Sequence, residues 1–443
     1  MNAIAPDELV IEPLAGPLLG TTSVPGDKSI SHRSVLFSAM AEGTSQVSGV
    51  LDSGDVRSSI AAVQQLGAQV ALEKQVDGSL AGGITGWGSA GPTQPTRALD
   101  CGNSGTTARL LMGVLAPWDI AVTLDGDDSL RRRPMRRIYA PLMKMGVTFT
   151  PAGSEGLPVT EKGSRHLKAL SYDSPMASAQ LKTALLLAGL GAEGETRVCE
   201  PAASRNHTEL MLPQFGAQTT AGERTASVIG PCQLTASEVH VPGDPSSAAF
   251  IVCAAVLARD SAVQIEGVSL NPARIGFTRT LERMGADVSI TRTGMSGKEP
   301  YGIIEARWTE DLRGCEIPAD KIASLVDEIP VLALVAAHAH GITVFRQVSE
   351  LKVKESNRLA AVIEGLGRLG VDAWNEGDDL YIEGQPNLQY PCDLVFDSHH
   401  DHRLAMTWAL VGLTGPNPVT VTGFDSVKIS YPGFLASMEG LVR

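Results

Sequence analysis

The chain has 443 residues, of which 43% are hydrophobic and 19% charged, enough for two to four packed domains at roughly 100–200 residues each. A formal net charge of −13 argues against a nucleic-acid or anionic-membrane binder, and it requires that any anionic substrate be met by a local basic pocket. The six cysteines (101, 199, 232, 253, 315 and 392) are scattered with no C-x-x-C, as expected of reduced thiols rather than disulfides or zinc. Residues 1–10 hold no Lys or Arg for a targeting signal, and the longest apolar runs, such as 248–258, fall short of the roughly 20 residues that span a bilayer. The expectation is a cytoplasmic protein with no membrane segment.

In chain order, the first stretch with chemical content is Val24-Pro25-Gly26-Asp27-Lys28-Ser29-Ile30-Ser31-His32-Arg33. A helix starting near Ser29 places Ser29 and Arg33 on one face, with Lys28 in the entry loop beside the partial positive charge of the helix N-terminus. The plain alternative is a capped surface helix with two solvated cations. Against it, the chain writes the passage again as Val241-Pro242-Gly243-Asp244-Pro245, 217 positions on, without the Lys or the following Arg.

The phrase apolar-Gly-Ala/Val recurs with glycines at 67, 146, 216, 285 and 370, and in cut-down form at 440. Each such glycine reads as the left-handed residue that closes a helix before a strand. A second set of helices is expected to start near Asp27, Gly102, Ser174, Gly243, Val326 and His400, with β-like runs between the helices, such as 46–51 and 342–345. The spacing predicts six units of about 75 residues, three per domain in pseudo-threefold packing. The V-P-G-D copies divide them into residues 26–240 and residues 1–25 plus 241–443, with hinges near Pro25 and Pro242.

Several helix starts carry more polar residues than capping needs. Gly102-Asn103-Ser104-Gly105-Thr106-Thr107-Ala108-Arg109 is a Gly-rich turn whose N–H groups suit a phosphate, though without the lysine of an ATP loop. Arg131–Arg133 and Arg136–Arg137 flank Pro134, which pins Arg133 just ahead of a helix. Ser178-Ala179-Gln180 and Ser204-Arg205 read as caps. Gly189-x-Gly191-x-x-Gly194 follows a helix, so no dinucleotide site is read there. Asp327 precedes an apolar helix and is a candidate base; Lys354 and Arg358 are expected on one helix face, with Glu355 beside them. His399, His400 and His402 lack metal-ligand spacing.

P-G-D-K-S-I-S-H-R (25–33), G-N-S-G-T-T-A-R (102–109), R-P-M (133–135), L-K-V-K-E-S-N-R (351–358) and D-H-R-L-A-M (401–406), in this order, resemble the 5-enolpyruvylshikimate-3-phosphate synthases over essentially the whole chain. The resemblance implies an α/β (α+β) fold of two similar domains, each of three βαβαββ units, with the active site in the interdomain cleft. It implies transfer of the enolpyruvyl group of phosphoenolpyruvate to the 5-hydroxyl of shikimate 3-phosphate, a step toward chorismate and the aromatic amino acids, by a monomer without cofactor or metal. Lys28, Ser29, Arg33, Ser178, Ala179, Gln180, Ser204, Arg205, Asp327 and Lys354 match shikimate-phosphate positions. Lys28, Asn103, Gly105, Arg133, Gln180, Arg358, Arg403 and Lys428 match phosphoenolpyruvate positions, Lys428 displaced by one residue. Asp327 matches the base for the hydroxyl, Glu355 the acid for the methylene carbon, and Lys28 a third catalytic group. A UDP-N-acetylglucosamine enolpyruvyl transferase carries a reactive cysteine in a Gly-rich, Arg-Pro-containing loop, and none of the six cysteines here lies in such a loop. A non-catalytic anion-binding scaffold would need the arginines but not Asp327 and Glu355.

Overall fold

The computed structural model describes residues 7–443, so most of the 1–10 stretch read for a targeting signal lies outside it. The chain divides into two compact units, one of Gly26–Pro242 with Met295–Glu299, the other of 7–25, Gly243–Gly294 and Pro300–Arg443. Val241 and Pro242 therefore fall in the first unit, and residues 295–299 leave the second.

In the 26–242 unit every sheet has four strands built the same way. In one, Leu99–Asp100 pairs in parallel with Ala121–Asp125, which pairs antiparallel with Val159–Lys162, and Thr148–Thr150 closes the edge. The parallel pair needs a helical crossover, supplied by Gly105–Leu115; Arg136–Met145 leads to the edge strand, which forms a hairpin with Val159–Lys162. The result is βαβαββ. The repeat containing Thr44–Val50 takes its parallel strand, Glu238–His240, from the far end of the unit.

The other unit borrows in the same way. Leu19–Ser23 runs parallel to Ala262–Ser269, and Glu8–Ile11 pairs antiparallel with Val419–Thr422 to complete a three-stranded sheet. The last repeat is thus the short one. Gly67, Gly146, Gly216, Gly285 and Gly370 have positive φ at helix ends, but Gly440 is right-handed (φ −64°), with no strand after it. The repeated V-P-G-D also has a local cause. Asp27 N–H donates to the Pro242 carbonyl in one unit and Asp244 N–H to the Pro25 carbonyl in the other, each at 2.8 Å. Gly26 is required there, because a Cβ would lie 1.9 Å from the Gly49 carbonyl oxygen.

Among the described residues each unit has three core helices: Lys28–Met40, Gly105–Leu115 and Ala179–Gly189 in one, Pro245–Leu257, Ile329–Ala337 and His402–Thr414 in the other. All are buried nearly all round, as helices enclosed by other layers must be, and most are apolar nearly all round; Lys28–Met40 instead buries Ser31, His32, Arg33, Ser34 and Ser38. None is long and apolar enough to cross a membrane. Gly189 is the last residue of its helix, so the G-x-G-x-x-G run sits at a helix C-terminus.

One core position breaks the repeat. Two residues before the glycines that pack on helix-end carbonyls (Gly86, Gly230, Gly384), the sister strands place Ile84, Val228 and Ile382, all buried. At Gly163 the corresponding residue is Glu161, 1% exposed, with no hydrogen-bond partner on either carboxyl oxygen among the described residues. Burial pushes its pKa well above the usual carboxylate value. A raised folded pKa gives stability that is complete below about pH 4.5 and is lost as pH climbs toward the folded value. Glu161→Ile should therefore stabilise the protein at pH 8 by about 1–3 kcal/mol, with the gap narrowing at pH 5. Urea denaturation at both pH values checks this, and equal midpoints for parent and variant at pH 8 would refute it.

Candidate active site

The three core helices of the 26–242 unit start at the same end, and their first turns are tied together. Arg33 Nη2 donates to Thr183 Oγ1 (2.8 Å), Arg109 Nη1 to Gln180 Oε1 (2.7 Å) and Gln180 Nε2 to Thr106 Oγ1 (2.9 Å). Their caps are Asp27, Ser104 and Ser178, which accept from Ile30, Thr107 and Leu181 N–H. Three helix N-termini, each worth roughly half a positive charge, so converge on one surface.

Lys28 is the first residue of its helix and not part of an entry loop, and its ammonium lies 3.2 Å from Asp55. Arg33 is 3% exposed; beyond Thr183 it donates to the Ser29 carbonyl (2.9 Å) and Thr208 Oγ1 (2.8 Å). Burial lowers its pKa to about 10, which still leaves it cationic. It holds the Lys28-Ser29 turn from behind. His32 is a core group: burial lowers its pKa to about 3, and Nδ1 bonds Ser59 Oγ at 2.8 Å.

Around Gly105 the structure gathers Asn103, Arg109, Arg133 and Gln180. Arg133 Nη2 donates to Asn103 Oδ1 at 2.7 Å. A Cβ on Gly105 would stand 2.7 Å from Arg109 Nη1 and 3.4 Å from Arg133 Nη1. A second group forms at the start of the third helix. Glu200 accepts from Ser178 N–H (2.8 Å) and Ser204 Oγ (2.8 Å), while Lys182, 4% exposed, pairs with Glu200 and Glu209 at 2.9 Å each. Ala179 opens that helix, and Arg205 lies just past Ser204.

In the 243–443 unit the helix starts again meet, but their N-cap residues are Asp244, Glu328 and Asp401, all acidic and buried. Arg358, 1% exposed, is the centre. Its Nε lies 2.8 Å from Asp401 Oδ2, its Nη1 3.0 Å from Asp327 Oδ1 and its Nη2 2.7 Å from Glu355 Oε2. Burial alone would lower its pKa, but Asp401, Glu355 and Asp327 outweigh this and raise it. Asp401 mirrors it: burial pushes its pKa up, and Arg358 brings it below the usual carboxylate value. Lys354 approaches Asp327 at 3.4 Å, and Arg403 Nη1 reaches the Asp327 carbonyl at 3.2 Å.

Taken over the full chain, this arrangement has known relatives. The family model of EPSP synthase (3-phosphoshikimate 1-carboxyvinyltransferase) matches residues 14–438. A 3-phosphoshikimate 1-carboxyvinyltransferase of Acidiphilium cryptum is 44% identical over 433 residues, covering 96% of this chain and 95% of that one. The chain belongs to the EPSP synthase family. A solved EPSP synthase from Acinetobacter baumannii superposes with a TM-score of 0.88 at 38% identity, covering 98% of both chains. The enolpyruvyl transferase NikO of Streptomyces tendae, at 18% identity, shares the fold (TM-score 0.77, covering 98% of this chain and 97% of that one).

One sequence expectation for this EPSP synthase family member needs correction. Lys354 and Glu355 lie in an irregular turn after a 3-10 segment, and the helix begins only at Arg358, so no helical face joins Lys354 to Arg358. The Lys428 side chain is 70% exposed and pairs with Asp425 at 2.7 Å. His399 and His400 lean toward Asp397 and Asp7, and no described cluster of three or more His, Cys, Asp or Glu is arranged to hold a metal ion. Arg109, Lys182, Glu200 and Asp401 were not singled out from the sequence. Arg109, four residues after Gly105 on the same helix, carried a readable signal; Lys182 and Glu200 carried none.

Asp401 holds Arg358 through two nitrogens and also caps its own helix. Asp401→Ala should cost about 3–5 kcal/mol, because it leaves a buried guanidinium short of charge. Asp401→Asn, which keeps the cap, should cost less. Chemical denaturation with both variants near the parent midpoint would show the pair to be dispensable.

Proposed function

We propose that this chain transfers the enolpyruvyl group of phosphoenolpyruvate to the 5-hydroxyl of shikimate 3-phosphate, releasing inorganic phosphate. The observation that carries this is the Arg358 cluster: one buried guanidinium between two carboxylates, Asp327 and Glu355, with Lys354 and Arg403 beside them. Enolpyruvyl transfer needs cations for two polyanionic substrates, a base for a hydroxyl and an acid for a methylene carbon. A bare anion-binding scaffold has no use for the two acids.

On this reading Lys28, Ser29, Ser178, Ala179, Gln180, Ser204, Arg205, Asp327 and Lys354 receive shikimate 3-phosphate, with Arg33 bracing the first turn. Asn103, Gly105, Arg133, Gln180, Arg358 and Arg403 receive phosphoenolpyruvate; the exposed pair of Lys428 with Asp425 supports no part for Lys428. Glu355 gives a proton to the donor's C3 methylene, and the 5-oxygen attacks C2 while Asp327 takes the hydroxyl proton. The tetrahedral adduct then loses a C3 proton and its phosphate, restoring the double bond. Glu355 is bound by Arg358 and one-third exposed, so an arriving anion competes for the guanidinium and frees the carboxyl for proton transfer.

The rival that uses an activated cysteine finds no support at Cys101, next to the Gly-rich turn, where burial pushes the thiol up to about 12. The same reading takes the enzyme as a cytoplasmic monomer. Purified protein given both substrates should release phosphate, and release only with UDP-N-acetylglucosamine as acceptor would overturn the assignment.

Asp327→Asn and Glu355→Gln should each lower turnover about 10²–10⁴-fold, the usual range for a lost acid or base. They should differ in kind: only Glu355→Gln should abolish entry of solvent deuterium into the enolpyruvyl methylene, followed by NMR during turnover. Exchange at the parent rate in Glu355→Gln would point to another acid, Lys28 first.

Gly105→Ala places a methyl group against the guanidinium ends of Arg109 and Arg133, narrowing the donor end. A phosphonate longer than phosphoenolpyruvate, such as glyphosate, should lose more affinity than the donor itself. Inhibition kinetics showing equal losses would refute the steric account.

A further inference from the structure

Glu328 occupies the N-cap position of the Ile329–Ala337 helix, yet its side chain makes no capping hydrogen bond. The corresponding middle helix of the other unit is capped in the ordinary way, by Ser104 accepting from Thr107 N–H. An uncapped helix start forgoes about 1 kcal/mol, so the Glu328 carboxylate serves some other contact. Its Oε1 accepts from Ser246 Oγ and stands 3.2 Å from Arg403 Nη1. Ser246 Oγ in turn accepts from Arg274 Nη2 at 3.0 Å, and Arg274 Nη2 pairs with Asp244 Oδ1 at 2.7 Å. Glu328 is 1% exposed and Arg274 2%. A row of buried polar groups, Asp244–Arg274–Ser246–Glu328, therefore crosses the helix starts of this unit and ends on Arg403.

We propose that Glu328 is a positioning residue that fixes the Arg403 guanidinium for the donor, an inference that rests on the function proposed above. Among the described residues, apart from Glu328, the Arg403 guanidinium is held by Asp327: its carbonyl at 3.2 Å and, loosely, its carboxylate at 3.9 Å. Without Glu328 the guanidinium is free to turn toward the Asp327 carboxylate, away from any ligand. Ser246 and Arg274 keep the Glu328 carboxylate from following it.

The proposal makes a prediction opposite in sign to simple charge counting. Removing a negative charge from an anion site should tighten anion binding if charge alone matters. If Glu328 orients Arg403, Glu328→Ala should instead raise the KM for phosphoenolpyruvate about 10- to 100-fold, by analogy with the loss of an outer-shell partner that orients a metal ligand, and change that for shikimate 3-phosphate by much less. Glu328→Gln, whose amide oxygen still accepts from Ser246 and Arg403, should restore most of the loss. In an Arg403→Ala background, Glu328→Ala should add little, since its effect runs through that guanidinium. A lower or unchanged KM for phosphoenolpyruvate, equal losses for both substrates, or full additivity with Arg403→Ala would each overturn the proposal. Should Glu328→Ala not fold, Ser246→Ala, which unpins the carboxylate, is expected to show a smaller shift in the same direction, and no shift would count against the inference. Parent enzyme releasing no phosphate with the two substrates would refute the underlying function instead.

Discussion

Three buried helices that run the same way within one unit must bring three N-termini to one place, and the chemistry of this chain follows from that constraint. Each first turn carries backbone N–H groups with no partner inside the helix and a partial positive charge. Each repeat contributes one such helix, and in four of them it joins two parallel strands, because a parallel pair cannot be closed by a hairpin. The repeat architecture thus creates two surfaces suited to anions before any side chain is chosen.

The two units answer that constraint differently. In the 26–242 unit, Ser104 and Ser178 cap without charge, and Lys28, Arg109 and Arg133 add cations around them. In the 243–443 unit the N-cap positions are acidic, and each carboxylate is engaged by an arginine: Asp244 by Arg274, Glu328 by Arg403, Asp401 by Arg358. The first surface sets its arginines beside paired lysines, Lys28 with Asp55 and Lys182 with Glu200 and Glu209. The second is a balanced lattice of charge in which Glu355 is the partly exposed carboxylate.

Burying such a lattice is costly. Taking ions out of water costs several kcal/mol each, and ion pairing offsets this only with good geometry. Arg358 meets the condition with three carboxylates within 3.0 Å. The stability that bears this cost lies in the apolar middles of the same helices, such as Ile329–Ala337, every residue of which is buried. Glu161 shows what an unmatched group looks like by contrast: a carboxyl in a strand position that sister repeats fill with Ile or Val, with no hydrogen-bond partner among the described residues.

The sequence by itself determined the repeat, most of its helix ends and the residues gathered at the helix starts. These are local matters: a left-handed glycine such as Gly146 or a cap such as Ser178 acts within a few positions of itself. Family motifs added the substrates. Only the tertiary structure decided which charges meet. Arg358 finds Asp401 across 43 positions, Arg403 finds Glu328 across 75, and Arg33 finds Thr208 across 175. It also decided that Lys354 stands in a turn ahead of the helix, where helical spacing had placed it on one face with Arg358, and that Glu328 forgoes capping for Arg403. A side chain at a helix start has several partners open to it, and the packing of distant helices selects among them; no local pattern records that choice.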